Sequence, residues 1–302
     1  MSKIVVSGLV NMETSVSVDA FPIEYRPVDY RFFGITSTPA GVGLNVSLAL
    51  SALGDSVNLC SFVGPDPAGN LVKTYLQDKG VNVDNILCEN KSTAQSVVLF
   101  DKDGRRTVLC DLTDNQELSY DKKIFCRCLD GASIACLCNI NYSAELIPVA
   151  VEMGIPIATD VHCLSDIHDE YNSRFMRCAD IIFLSNENIL GREKQFVSDL
   201  AKEYDPRIVV VGMGSEGAML YERGKEIVQF PAVFTRPVVN TVGAGDSLYS
   251  AFIHFYAKGS DAAIALRKAI YFASYKIGES GASKGFLSED ALNDIIKEQG
   301  GF

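Results

Sequence analysis

Apolar positions recur along the chain in two alternating rhythms. Short, wholly apolar runs such as Ile208-Val209-Val210-Val211 are followed by longer stretches where apolar residues return every three to four positions. The first kind fits a strand buried on both faces, and the second fits a helix covering one side of a sheet. The first ten residues, 57–63, 132–137, 156–159, 181–184 and 208–211 read as strands. Residues 71–79 and 144–153 read as helices. Residues 40–54 read as a glycine turn opening a helix, with Leu44, Leu48 and Ala52 on one face and Gly54 as its stop. The alternation predicts an α/β fold: a three-layer α/β/α core around a mostly parallel central sheet.

Two regions break the alternation. Residues 14–38 and 94–113 switch to period two, as in Ser15-Val16-Ser17-Val18-Asp19-Ala20. The second region contains the turn signal Asp101-Lys102-Asp103-Gly104. These hairpins are expected to form a small β-sheet lid beside a core of residues 1–13, 39–93 and 114–302. Phe21, Tyr30, Phe32, Phe33 and Phe100 are expected to pack as the lid's own small core. Stacking on a nucleobase is their alternative use.

Composition narrows the function. The 302 residues are 47% hydrophobic and 22% charged, the balance of an ordinary folded protein. The formal charge is −11, the wrong sign for a partner recognised through its phosphate backbone, so no nucleic acid is expected. No apolar run is long enough for a membrane span. The apolar start is short and meets Asn11 and Glu13 at once, so it reads as a strand and not as a secretory leader. Nine cysteines without such a leader suggest reduced thiols and a cytoplasmic location. Cys126 with Cys128 and Cys136 with Cys138 would each share one strand face, a conceivable zinc pair. The spacing is shorter than structural zinc sites use, and metal-free thiols are expected.

Three glycine motifs carry candidate chemistry. Gly212-Met213-Gly214-Ser215-Glu216-Gly217 is a literal Gly-x-Gly-x-x-Gly after a strand. A dinucleotide site needs that turn to open a helix. The turn at Arg223-Gly224-Lys225 instead makes residues 218–228 two short strands. The motif is then either a glycine loop facing a nucleotide cleft or a plain hairpin turn. Asn240-Thr241-Val242-Gly243-Ala244-Gly245-Asp246 precedes a predicted helix over 247–258, ended by Gly259. Backbone N–H groups at a helix start make an anion hole without a basic residue. An acid at its rim suits proton removal from a hydroxyl beside a transferring phosphoryl group. It equally suits an N-cap. As a helix-opening residue, Asp246 is expected to have a lowered pKa. Ala40-Gly41-Val42-Gly43-Leu44-Asn45 is the third motif. Its glycines permit close approach and Asn45 can bond a polyol, or the motif merely opens a helix.

Together, in this order, these motifs resemble the ribokinase-like (PfkB) family of sugar and nucleoside kinases. Residues 240–252 resemble the family's Asp-Thr-x-Gly-Ala-Gly-Asp signature, and residues 40–45 its Gly-Gly-x-x-x-Asn. Gly64-Pro65-Asp66-Pro67-Ala68-Gly69 resembles its Gly-x-Asp-x-x-Gly, and Gly281-Ala282 its late Gly-Ala. The resemblance spans nearly the whole chain. It implies ATP-dependent phosphorylation of a hydroxymethyl group on a small sugar or nucleoside, with ATP and magnesium as cofactors. Asp246 would be the base, and the N–H groups of Gly243, Ala244 and Gly245 the anion hole. Asn11, Glu13, Gly41, Val42 and Asn45 would bind the acceptor. Asn186, Gly214, Ser215 and Gly217 would lie beside the nucleotide, and Glu187 beside magnesium. A monovalent cation is a further family cofactor, and a homodimer through the lid a further expectation.

The chain departs from the pattern at four places. Glu13 stands where the family has Asp, and Ala40 where it has Gly. Ile189 stands where its Asn-x-x-Glu ends. Asn240 replaces the leading Asp of the signature, removing a charge near the anion hole and the monovalent-cation site. Drift away from such acids is what a non-catalytic sugar or nucleotide sensor would show, and that is the rival reading. The intact Gly-Ala-Gly-Asp favours the kinase.

Overall fold

The computed structural model describes residues 1–102 and 105–301. In chain order the strands are β1 (Lys3–Ser7), β2 (Asn11–Ser17), β3 (Ile35–Ala40), β4 (Ser56–Val63), β5 (Ile86–Cys88), β6 (Gln95–Phe100) and β7 (Arg106–Asp111). They continue as β8 (Ile134–Leu137), β9 (Ile157–Asp160), β10 (Ile181–Ser185), β11 (Ile208–Gly212), β12 (Ala218–Glu222) and β13 (Val228–Phe230). Nine strands form the main sheet in the order β13-β12-β11-β10-β9-β8-β1-β4-β5. Only the pairs that include β12 are antiparallel.

Burial explains why these strands are apolar throughout. Ile4, Val6, Ile208 and Val210 join one core, packed with residues of the helices Val42–Ala52, Pro67–Asp78, Ala244–Ala257, Ala262–Lys276 and Glu289–Glu298. Val5, Val209 and Val211 point the other way, into a second core formed with the helices Lys122–Leu129, Ile147–Glu152, Glu170–Met176 and Glu193–Tyr204. Neighbouring side chains on a strand alternate between faces, so a sheet covered on both sides needs apolar residues at every position. The three layers match the expected fold.

Several boundaries differ for local reasons. The expected helix over 144–153 is two short helices, Asn141–Ala144 and Ile147–Glu152. Pro148 lacks an N–H and sits in the first turn of the second, where a proline is tolerated. The helix expected from residue 71 begins at Pro67. Asp66 caps it by accepting from Gly69 N at 2.7 Å. Asp66 also accepts from Thr93 N and Thr93 Oγ1, both at 2.7 Å, tying this helix to the strand that enters the lid. Burial alone would raise its pKa. The hydrogen bonds from Thr93, Gly69 and Ala68 outweigh this and hold it below the usual carboxylate range. After β11 the chain makes one 3-10 turn at Gly214–Glu216 and returns as β12. No helix opens there, which excludes a dinucleotide site of the Gly-x-Gly-x-x-Gly kind.

The second sheet has the order β3-β2-β6-β7, with β2 and β6 parallel at its centre. Its strands extend to Asn11 and Ala40, so Asn11 and Glu13 lie on the lid. In the expected β6–β7 turn, Asp103 and Gly104 lie outside the described residues. The aromatics do not form a lid core: Tyr30, Phe32 and Phe33 are exposed, with Tyr25, Ile23 and Val28 beside them in sequence. These residues lie on no strand; they belong to the connection between β2 and β3.

Cys126 and Cys128 lie on the helix Lys122–Leu129, not on a strand, so their side chains diverge. Burial pushes the Cys136 thiol up to about 12 and that of Cys138 well above its ordinary value. Among the described residues no helix is long and apolar enough to cross a membrane.

Candidate active site

Most of the expected site residues lie on the lid strand β2 or in segments that follow the C-terminal ends of parallel strands, the usual place for a ligand in an open α/β sheet. After β1 the chain turns through Gly8 and Leu9 to reach β2. The helix Val42–Ala52 starts directly against this turn: Gly43 N donates to Leu9 O at 2.9 Å. A Cβ on Gly43 would stand 2.5 Å from Gly8 O, and one on Gly41 would stand 2.5 Å from Leu9 O. Gly41 also has φ 104°, a conformation that L side chains rarely adopt. These glycines serve close packing, and that packing aims Asn45. Val42 points into the apolar core instead of the cleft.

Asn45 Nδ2 donates to Asp246 Oδ2 at 2.7 Å. The helix carrying Asp246 starts at Ala244, three residues earlier than expected, and its N-cap is Gly243 with φ 76°. Asp246 is therefore inside the first turn, and its side chain caps nothing. This removes the N-cap alternative. Of the expected anion-hole donors, Ala244 N donates to Thr241 O at 3.1 Å. The N–H groups of Gly243 and Gly245 meet no protein acceptor among the described residues. A Cβ on Gly243 would stand 2.9 Å from Ala282 O, so the Gly281-Ala282 turn packs directly against Gly243.

The pKa of Asp246 is raised, not lowered as expected. Burial is the main cause and Asp160 adds to it; the Asn45 hydrogen bond, His162 and Lys276 oppose it. Desolvation wins because Asn45 is the one side chain of the described residues that donates to this carboxylate. Glu13 is raised in the same way, by burial against the opposing pull of a hydrogen bond from Ser15 and the charges of Lys276 and Arg106. Asn11 is buried and donates from Nδ2 to Ser96 Oγ at 3.0 Å. The carbonyl oxygens Asn11 Oδ1 and Asn45 Oδ1 are buried with no partner among the described residues.

The other expected residues follow β10 and β11. Asn186 is buried, with its N–H on Gly212 O at 3.0 Å and its Nδ2 on Glu193 Oε1 at 3.2 Å. Glu187 is exposed. It accepts from Cys163 Sγ at 3.2 Å and lies 3.8 Å from Arg106 Nη2 of the lid strand β7. Gly214 and Ser215 are exposed on the turn after β11. Gly217 does not face a cleft: its Cβ position meets Phe230 O at 2.0 Å, so it lets β13 approach. Among the described residues no group of three or more His, Cys, Asp or Glu is placed to hold a metal.

Four participants are not apparent from the motifs. Asp160 and His162 at the end of β9 act electrostatically on Asp246, and His162 takes the strained φ of 55°. Arg106 reaches from the lid to Glu187. Lys276, at the end of the helix Ala262–Lys276, is 0% exposed, and its Nζ donates to Val242 O.

The start of the helix Ala244–Ala257, with Asp246 in its first turn and Asn45 bonded to it, thus lies beside a separate four-stranded sheet on an α/β scaffold. Residues 1–289 match the model for the pfkB family of carbohydrate kinases, and the chain belongs to that family. It is similar to the ATP-dependent ribose-1-phosphate kinase of Halopiger xanaduensis, 26% identical over 302 residues and 99% of each chain. It is also similar to the acarbose 7(IV)-phosphotransferase of an Actinoplanes species, 24% identical over 96% of each. A microbiome-derived acarbose kinase has the same fold, with a TM-score of 0.87 at 24% identity over 98% of this chain and 99% of that one. The ribokinase of Arabidopsis thaliana, solved with ribose and ATP, superposes with a TM-score of 0.82 at 21% identity over 98% and 99%. The protein is a sugar or nucleoside kinase of this family.

Proposed function

We propose that this kinase transfers the γ-phosphoryl group of ATP to a hydroxymethyl group of a small sugar or nucleoside, with Asp246 as base. The observation that carries the reading is the 2.7 Å bond between Asn45 and Asp246. It joins two separate motifs in one cleft beneath the lid.

Buried carbonyl oxygens without donors are costly, and hydroxyls of a polyol would satisfy Asn11 Oδ1 and Asn45 Oδ1. Glu13, held toward its neutral form by burial, adds a third polar contact from the lid. Gly41 shapes the floor of this acceptor pocket. The hydroxymethyl oxygen bonds to the γ-phosphorus as its proton passes to Asp246. The bond to the β–γ bridging oxygen breaks, and its electron pair leaves with ADP. Position supplies most of the rate, and a raised pKa improves Asp246 as a base. The N–H groups of Gly243 and Gly245 and the helix dipole stabilise the charge that develops. Magnesium, when bound with the nucleotide, neutralises phosphate charge, and Glu187 is the residue proposed to hold it. Asn186, Gly214 and Ser215 line the nucleotide side. The lid excludes water and so limits ATP hydrolysis.

The exposed apolar face of the lid suits a second copy of this chain, and a cytoplasmic homodimer is the proposed form. Sedimentation is expected to give a dimer, and Phe33→Asp a monomer; a wild-type monomer would contradict this.

A coupled assay of ADP release across a panel of sugars and nucleosides tests the kinase reading. At least one acceptor is expected to raise ADP release far above the water-only rate. Acceptor binding with no ADP release would establish the sensor instead.

A further inference from the structure

Lys276 is a buried charge that the phosphoryl-transfer scheme does not use. A lysine in the last turn of a helix ordinarily points to solvent and complements the dipole. This one is 0% exposed, with its ammonium turned onto the backbone carbonyl of Val242, the residue before Gly243. A Cβ on Gly243 would stand 3.2 Å from Nζ. The charges facing the ammonium are Asp246 on the helix Ala244–Ala257 and Glu13 on β2. The ammonium thus lies directly behind the anion hole, against its first glycine.

The monovalent cation that the family resemblance implies does not fit this loop. Its acid is replaced by Asn240, whose Oδ1 is turned inward to accept from Val242 N at 2.8 Å. The Val242 carbonyl beside it already accepts from the Lys276 ammonium. An ammonium and a potassium ion have similar size and the same charge, and both favour carbonyl oxygens.

We propose that Lys276 is a covalently tethered cation: a positioning residue that fixes the Val242–Gly243 backbone and supplies positive charge behind the anion hole, making the enzyme independent of free monovalent cations. The inference rests on the kinase reading for its catalytic consequence and on the loop geometry alone for the cation. A buried ammonium costs desolvation. That cost pulls the Lys276 pKa down to about 8 against the opposing charges of Asp246 and Glu13. A protein with only a structural use for this position could fill it with an apolar side chain at less cost.

The test compares the wild type with Lys276→Met, which keeps the stem and removes the charge, and with Lys276→Ala, which opens the cation position. Potassium chloride is exchanged for tetramethylammonium chloride at constant ionic strength. Wild-type kcat is expected to change less than about twofold with the exchange. Lys276→Met is expected to lose about 10- to 100-fold in kcat, below the cost of a direct oxyanion donor, with little change in the acceptor KM. Lys276→Ala is expected to regain activity saturably with potassium or ammonium. Its melting temperature should rise saturably with potassium, while that of the wild type does not.

The pH profile gives an independent readout. Wild-type kcat is expected to fall as pH rises through about 8, and Lys276→Met to lack this limb. Stability moves the other way. The unfolded lysine keeps its proton to about 10.5 while the folded one releases it near 8, so stability rises across that window. Strong potassium activation of the wild type, or normal kcat in Lys276→Met, overturns the inference. So does a Lys276→Ala variant whose turnover and melting temperature both ignore potassium. If the wild type phosphorylates nothing, the kinase reading falls, and the melting-temperature arm still decides for or against the tethered cation.

Discussion

Asp246→Asn is expected to lower kcat by about 10²- to 10⁴-fold, the range for a general base, with small changes in ATP and acceptor KM. The amide oxygen can still accept from Asn45, so the geometry at the start of the helix Ala244–Ala257 is kept and only proton acceptance is lost. Stability provides the control. Because the folded carboxyl has a raised pKa, the ionised form is disfavoured in the native state. Between the ordinary 3.8 and the raised value the folded chain binds more protons than the unfolded chain. Stability therefore falls as pH rises through that window. Removing the charge is expected to leave the melting temperature at pH 7 unchanged or higher. The wild-type rate should rise with pH through the same raised pKa. Asn45→Ala removes a contact that favours the ionised form, so this acidic limb should move to higher pH. Near-normal turnover in Asp246→Asn, or a lower melting temperature accounting for lost activity, would end the case for a base.

Gly43→Ala is expected to damage both stability and turnover, although alanine favours a helix by about 1 kcal/mol over glycine. The new Cβ would stand 2.5 Å from Gly8 O and 2.6 Å from Gly8 C, all of it backbone that cannot rotate away. Overpacking of this kind typically costs about 1–3 kcal/mol, and main-chain atoms put this site at the upper end. A loss of about 2–3 kcal/mol lowers the melting temperature by roughly 4–10 °C for a chain of this size. The shift also moves Asn45, two residues on, away from Asp246, so kcat should fall in the protein that remains folded. Gly54→Ala is the comparison. Its φ is 99° but its Cβ would meet nothing within 4 Å. It should cost only about 1–2 kcal/mol of backbone strain and leave kcat unchanged. Equal melting temperatures for Gly43→Ala and the wild type, measured by calorimetry, would show that the turn after β1 yields to the helix.

The parts of the fold that local chemistry determines were readable in the chain. Ile208–Gly212 is a strand buried on both faces and shows it by having no polar residue until its final glycine. The turn at residues 223–225 was enough to separate a hairpin from a dinucleotide helix. Gly243, Gly245 and Asp246 were legible as a helix start, and the structure separates the acid from the N-cap because the cap is Gly243. What depended on distant packing was not. Asp160 and His162 approach Asp246 only because β9 lies where the strand order puts it. Lys276 reads in sequence as an ordinary last-turn lysine, and only the crossing of its helix behind Gly243 turns it inward. The pKa of Asp246 was misjudged because helix dipoles can be counted from the chain and desolvation cannot. The lid aromatics were expected to pack together, but Tyr30, Phe32 and Phe33 stand exposed in the long connection between β2 and β3, whose course local pattern does not fix.

Phosphorus-31 NMR of the reaction products tests phosphoryl transfer to a hydroxymethyl group most directly. With the wild type, ATP, magnesium and the best acceptor of the panel, a new phosphomonoester signal should appear, split by two methylene protons. It should grow as the γ-phosphate signal of ATP declines, and Asp246→Asn should form it at least about a hundredfold more slowly. Inorganic phosphate as the sole new signal, or a phosphomonoester coupled to a single proton, would contradict the account.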